Sequence, residues 1–220
     1  MVRSNALRVA VAALALLALS GASTPRRESE AVPPPAPPLR FPGGEVMMSS
    51  SFHSEASLER WTPDRHGVWA LAHGALRAQL PDKKQARSFI YAGSEDWGAY
   101  AVDVDVCQTR GVDKGVVVRA RGGRGVGVDL RGPGYHDVLL HLQDSRLGRA
   151  AIRNDNDTWH HIRIEALDSR YKVYVDGRLL IDQSDPRKAT RHGRIALAAY
   201  TGGDGKCTVY YDNVVVTALR

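Results

Sequence analysis

Asp103 and Asp105 alternate along Tyr100-Ala101-Val102-Asp103-Val104-Asp105-Val106-Cys107, so an extended chain puts both carboxylates on one face. Two like charges on one face can raise one pKa, and paired carboxylates are what acid–base cleavage of a glycosidic bond requires. No glutamate joins them and Cys107 is a poor acid, so a salt-linked sheet face is the better account of the pair. His160-His161 follows Trp159, but no further ligand stands at metal-binding spacing, and His66, His73, His136 and His141 are equally scattered. Gly122-Gly123 and Gly202-Gly203 lie between strand-like runs and precede no helix, which argues against a phosphate cradle. No catalytic set emerges. The better-motivated site is a surface: read by alternation, the faces turned from the core carry Asp103, Asp105, Arg119, Arg121, Asp129, Arg131, His141 and Tyr200. Carboxylates and guanidinium groups bind sugar hydroxyls, and aromatic rings stack on sugar CH faces. Trp97 and Tyr91, around the loop Gly93 to Gly98, are expected to add a rim platform.

The elements that must hold these residues are strands. Short alternating runs recur between Gly, Asp, Asn and Pro, with almost no helical periodicity, as in an all-β sandwich or barrel. Val68 to Ala72 turns at His73-Gly74 into Leu76-Arg77-Ala78. Ser88–Ala92, Tyr100–Cys107, Gly115–Arg121, Val126–Arg131, His136–Gln143, Trp159–Glu165 and Arg194–Tyr200 read as further strands. Asp176-Gly177 between Tyr171–Val175 and Leu179–Ile181 is a strong hairpin signal. The closing run from Cys207 to Val216 is dense in β-branched and aromatic residues, and its Asp212-Asn213 step predicts a bulge.

The chain has 220 residues, a formal net charge of +6 and two cysteines. Arg3 and Arg8 precede an apolar run from Val9 to Leu19, and small residues follow at Ser20 to Ser23, the pattern of a cleavable export signal over residues 1–23. The run is short for a membrane span, and none is expected in the mature protein. Removing it takes two arginines and no acid, leaving +4. That charge is too mild and dispersed for nucleic acid. Residues 24–44, with Pro33-Pro34-Pro35 and Pro37-Pro38, read as a proline-rich linker of extended, semi-rigid type. Residues 45–220 then form one domain, in a protein that is secreted or held in the periplasm or cell envelope.

The order of these elements is informative: Phe52, Trp61, Gly67-Val68-Trp69, Gly115 to Ala120, Trp159-His160, Tyr174-Val175-Asp176-Gly177, Gly193 to Leu197 and Tyr211-Asp212-Asn213-Val214. Over about Ser50 to Arg220 this resembles the laminin-G-like jelly rolls of the concanavalin A-like lectin/glucanase superfamily. It is most similar to the 3-keto-disaccharide hydrolase domain family and to carbohydrate-binding module family 66. The resemblance implies two stacked antiparallel sheets, with ligand on the concave face or its rim. It also implies a structural calcium held by an acidic residue beside the opening Phe and by the Asp of the closing strand. Asp212 supplies the second; Ser51 and His53, which flank Phe52, do not supply the first. Trp61 and Trp69 match packing positions. The glutamates of glycoside hydrolase family 16, which shares the broad fold, have no counterpart beside Asp103 and Asp105. Cys107 and Cys207 lie on strands that the resemblance places side by side, and in an exported protein two cysteines usually pair, so a disulfide is expected.

The expected function is a monomeric, non-catalytic module that binds a polysaccharide or oligosaccharide. A hydrolase of the 3-keto-disaccharide type is the alternative, and a protein-binding adhesive domain a second one.

Overall fold

In a computed structural model of the chain, residues 32–40, 43–143, 145–187 and 190–220 are described. The export signal expected over residues 1–23 lies outside them, as do linker residues 24–31, 41 and 42. Fifteen strands make up nearly all the regular structure: β1 Val46–Ser50, β2 Trp61–Pro63, β3 Trp69–Ala72, β4 Ala75–Gln79, β5 Arg87–Ala92, β6 Tyr100–Gly111, β7 Asp113–Arg121, β8 Arg124–Arg131, β9 Asp137–Leu142, β10 Ser145–Ala151, β11 Trp159–Leu167, β12 Arg170–Val175, β13 Arg178–Ser184, β14 Arg194–Tyr200 and β15 Cys207–Ala218. One 3-10 turn, Glu55–Leu58, is the only helical element among the described residues. No helix there is long and apolar enough to cross a membrane.

Every pairing is antiparallel, in two sheets. The front sheet runs β10-β9-β8-β7-β14-β5-β2; the back sheet runs β13-β12-β11-β6-β15-β4-β3, with β1 also on β15. The all-β sandwich expected from the alternation is therefore the fold. Inward residues, such as Val102, Val104 and Val106 on β6, Val116 and Val118 on β7 and Ile162 and Ile164 on β11, form one continuous apolar core. Trp61 is buried against Phe52, and Trp69 packs on the core beside Tyr211.

Two tyrosines cross this core and tie the sheets together. Tyr211 of β15 donates to the Ala198 carbonyl at 2.7 Å and accepts from the Gly115 N–H at 3.0 Å. Tyr100 of β6 donates to the Gly193 carbonyl at 2.9 Å and accepts from the Arg119 N–H at 2.6 Å. A buried hydroxyl needs such partners, so each ring fixes the spacing of the sheets at one point.

Turn and bulge chemistry follow the sequence closely. His73-Gly74 and Asp176-Gly177 both take positive φ at two successive residues, the geometry of a tight hairpin. Asn213 has φ 52°, and the β6–β15 register slips between Asp212 and Val215, which is the expected bulge. The expected disulfide is absent: both thiols are free and buried. Their strands are neighbours, but the register is wrong. Cys107 stands opposite Tyr210, while Cys207 stands opposite Gly111. Three residues of strand, roughly 10 Å, separate the two positions, beyond the span of a disulfide. Cys207 also faces the core, whereas Cys107 follows Asp103 and Asp105 on the opposite face.

Residues 32–40 are laid across the outer face of the back sheet. Trp159 Nε1 donates to the Pro34 carbonyl at 2.7 Å, and Asn213 Nδ2 donates to the Pro37 carbonyl at 2.6 Å. Pro33 is buried in this contact. Proline offers no N–H, so a proline-rich strand can dock only through its carbonyls and rings, as here.

Candidate functional site

The outer face of the front sheet is hollowed into a groove of about 530 Å³. Its floor is made of small residues: Ala198 on β14, Val117 on β7, and Gly125 and Gly127 on β8. Arg87, Phe89 and Tyr91 of β5 form one wall, and Asp129 of β8 with His141 and Gln143 of β9 and its turn form the other. Alternation puts these residues outward while their neighbours build the core. The glycines let the far wall lie flat: a Cβ on Gly127 would fall 2.6 Å from His141 Nε2, and one on Gly115 would fall 2.5 Å from Asp129 Oδ1.

Two guanidinium groups lie on aromatic rings at the ends of the groove. Arg87 sits 4.9 Å from the Tyr200 ring centroid, and Arg194 sits 4.6 Å from that of Tyr91. Tyr200 also donates to the Gln85 side chain. Arg121 and Arg124 flank the Gly122-Gly123 turn at the Arg194 end, with Arg121 only loosely opposite Glu95 at 3.5 Å.

The acidic part of the wall is a coupled set. Asp129 Oδ2 lies 2.9 Å from His141 Nε2, and His141 Nδ1 lies 2.9 Å from the Gln143 carbonyl. Burial alone would lower the His141 pKa; Asp129 and the Gln143 carbonyl outweigh it and raise the value above its ordinary one. Asp113 is the diagonal neighbour of Asp129 on the same face, since Asp113 pairs with Arg131 and Gly115 with Asp129. Burial, reinforced by the Asp129 charge, pushes the Asp113 carboxyl up to about 6.

Of the residues expected to form a site, Arg121, Asp129, His141 and Tyr200 come together here, with Tyr91 from the expected rim. Arg131 shares the face but is held by Asp137 through two bonds of 2.7 Å. Asp103 and Asp105 are on the other sheet. There His161 reaches Asp105 Oδ1 at 2.8 Å and Asp103 Oδ1 at 3.1 Å, Arg163 donates to Asp103 at 2.6 Å, and Asn213 donates to Asp105 at 2.7 Å. Those hydrogen bonds to Asp103 and Asp105 push the His161 pKa up to about 9. His160 is engaged by Asp176 at 2.8 Å.

Two expectations are corrected. Arg119 does not face outward with Arg121. It has φ 54°, and the β7–β8 register slips between Val118 and Arg121, so its side chain turns inward and is 1 % exposed. There it donates to the carbonyls of Gly98, Asp168 and Thr190 and to the Tyr171 hydroxyl, which makes it a tie between loops. Trp97 is no rim platform: its ring packs on Gly93 and edge-on to Tyr100, against the core.

Among the described residues Asp212 gathers no second carboxylate free to hold calcium. Asp212 is buried, which pushes its pKa up to about 6, and its Oδ1 accepts from Asn213 N at 2.8 Å. Its neighbour Asp105 is spent on His161 and Asn213. Among the described residues no three His, Cys, Asp or Glu converge on one point.

Arg87, Phe89, Arg124 and Arg194 were missed as groove residues, and Asp113 as the diagonal neighbour of Asp129. Reading β5 and β7 one or two residues further toward their N-terminal ends would have placed Arg87 and Asp113 on the outward face.

Residues 49–217 match a family described as 3-keto-alpha-glucoside-1,2-lyase-like domain. No curated protein matches the chain. Among solved structures, the fold is similar to the carbohydrate binding module CBM66 from Bacillus subtilis, at 19% identity and TM-score 0.62, covering 72% of this chain and 96% of that one. It is also similar to Crh5 transglycosylase at 15% identity and TM-score 0.62, with 83% and 88% covered. The exoplasmic/lumenal domain of VIP36, in a form bound to Ca2+ and Man3GlcNAc, is 13% identical with TM-score 0.58, with 77% and 88% covered. At these identities the likeness is one of fold.

Proposed function

The chain belongs to the 3-keto-alpha-glucoside-1,2-lyase-like domain family, and from that premise we propose that the front-sheet groove binds a saccharide. The observation that carries the reading is the groove itself: an open channel of about 530 Å³ with a small-residue floor, aromatic rings at Tyr91 and Tyr200, and fixed polar groups at Asp129, His141 and the arginines. Aromatic faces with a few convergent polar groups are what a sugar site needs. Glycan-related neighbours of the same fold support it. The protein acts, on this reading, as an exported carbohydrate-binding module. Isothermal titration with a panel of oligosaccharides tests it: saturable heat that is lost in Tyr91→Ala supports the reading, and no binding to any member of the panel overturns it.

A second reading, catalysis, is favoured by one observation, the Asp129–His141 contact in the groove wall with Asp113 diagonal to Asp129 on the same sheet face. A 1,2-elimination on a 3-keto-glucoside removes the C2 proton, which the adjacent carbonyl acidifies, and expels the C1 oxygen with a proton. Asp113, at about 6, is poised to take a proton near neutrality. His141, whose pKa is raised, can pass a proton to the leaving oxygen only by releasing Asp129 or the Gln143 carbonyl, since both ring nitrogens are engaged. Release of the aglycone from a 3-keto-glucoside, abolished in Asp113→Asn, is the outcome this reading expects; no release by the wild type overturns it.

A further inference from the structure

We infer that the ligand of the groove is an anionic oligosaccharide, one carrying repeated carboxylate or sulfate groups. The inference rests on the saccharide-binding reading and narrows it.

Four arginines line the groove, against Asp129 inside it and Glu95 at its edge. Asp129 is engaged by His141 and Glu95 lies opposite Arg121. Among the described residues no carboxylate pairs with Arg87, Arg124 or Arg194. The Nε of Arg194 is shielded from solvent and has no hydrogen-bond partner, although it lies in the wall of an open channel. A buried donor without an acceptor is costly, and a small turn of the Arg194 side chain would bring it to a ligand oxygen in the channel.

The manner in which Arg87 and Arg194 are held matters more than their number. Each lies over a tyrosine ring. A guanidinium over a ring is steadied by it while its terminal N–H donors stay available, which suits two-point pairing with a carboxylate or a sulfate. A neutral sugar that used the same ring faces would have to displace the arginines. An acidic sugar would not.

The spacing adds a second requirement. The two stacks are separated by four residues of β5, Arg87 to Tyr91, and by six of β14, Arg194 to Tyr200. At about 3.3 Å per residue that is roughly 13–20 Å. One acidic monosaccharide cannot reach both, whereas a short oligomer with an acid group on each unit can.

The experiment is isothermal titration of the full chain with four probes: an oligogalacturonate, a sulfated oligosaccharide, an uncharged oligosaccharide of equal length, and galacturonic acid itself. The expected result is tight binding of one or both acidic oligomers, at least about tenfold weaker binding of the uncharged oligomer and of the monomer, and weakening as sodium chloride is raised. Which acidic oligomer binds assigns the carboxylate or the sulfate. Arg194→Gln is expected to cost about tenfold, and Arg124→Ala, at the exposed first residue of β8 where the core is untouched, to cost several-fold. Equal or tighter binding of the uncharged oligomer, or acidic binding indifferent to both substitutions, overturns the inference and leaves the saccharide groove standing. No binding of any probe overturns both.

Discussion

His141 Nε2 stands 2.9 Å from Asp129 Oδ2, directly over Gly127, the residue it pairs with on the neighbouring strand. The contact raises the His141 pKa although burial works against it. A raised histidine contributes stability that is complete below its unfolded pKa, near 6.5, and is lost as pH climbs through the folded value. Asp129→Asn removes the cause. The imidazole titration followed by NMR should then shift to lower pH, and an unchanged midpoint would show that Asp129 is not what raises it.

Asp113 behaves in the opposite sense. Its folded pKa of about 6 exceeds the ordinary 3.8, so the folded state holds the extra proton between those values. Stability from this group is therefore greatest in acid and declines as pH rises through about 6. Asp113→Asn should raise the unfolding free energy from urea titration at pH 7 by about 1 kcal/mol after allowing for partial exposure, and should do little at pH 4.

Lys114 is buried beside Asn154 Oδ1 at 2.9 Å, and burial pushes its pKa down to about 8. Its charge opposes folding below that value, and the opposition fades as pH rises from about 8 toward 10.5. Both buried thiols, pushed up to about 12, pull the other way above about pH 9. The clean measurement is thus a difference: wild type should gain stability relative to Lys114→Met between pH 7 and pH 9.

Tyr211→Phe should lower stability by about 1–3 kcal/mol, because the buried Ala198 carbonyl and Gly115 N–H lose their shared partner. Thermal melts give the answer directly. A loss of that size with the groove intact would separate the sheet-spacing role from ligand binding.

Both thiols should react with DTNB in denatured, unreduced protein, and dithiothreitol should leave the melting temperature unchanged. The family resemblance places their strands side by side, as they are, but strand adjacency does not carry register. Register here is altered by bulges at Thr208/Val209 and at Asp212/Val215, of which only the second announces itself in residue types. Arg119 fails for a related reason. Alternation assumes extended backbone, and a non-glycine residue at φ 54° leaves no mark in a run of valines. The core, both tight hairpins and the sandwich were legible because period-2 burial and turn chemistry are local. β10 was not, since Ser145 to Ala151 carries arginines and a glycine at the sheet edge and has little apolar contrast. The groove was half legible: outward residues could be named, but which sheet was hollow depends on a floor of small side chains brought together from three strands.

The proline strap and the groove lie on opposite faces of the sandwich, one clasped by Trp159 and Asn213, the other walled by Tyr91 and His141. Residues 32–40 thus occupy the back of the sandwich, and the groove on its front is left clear of them.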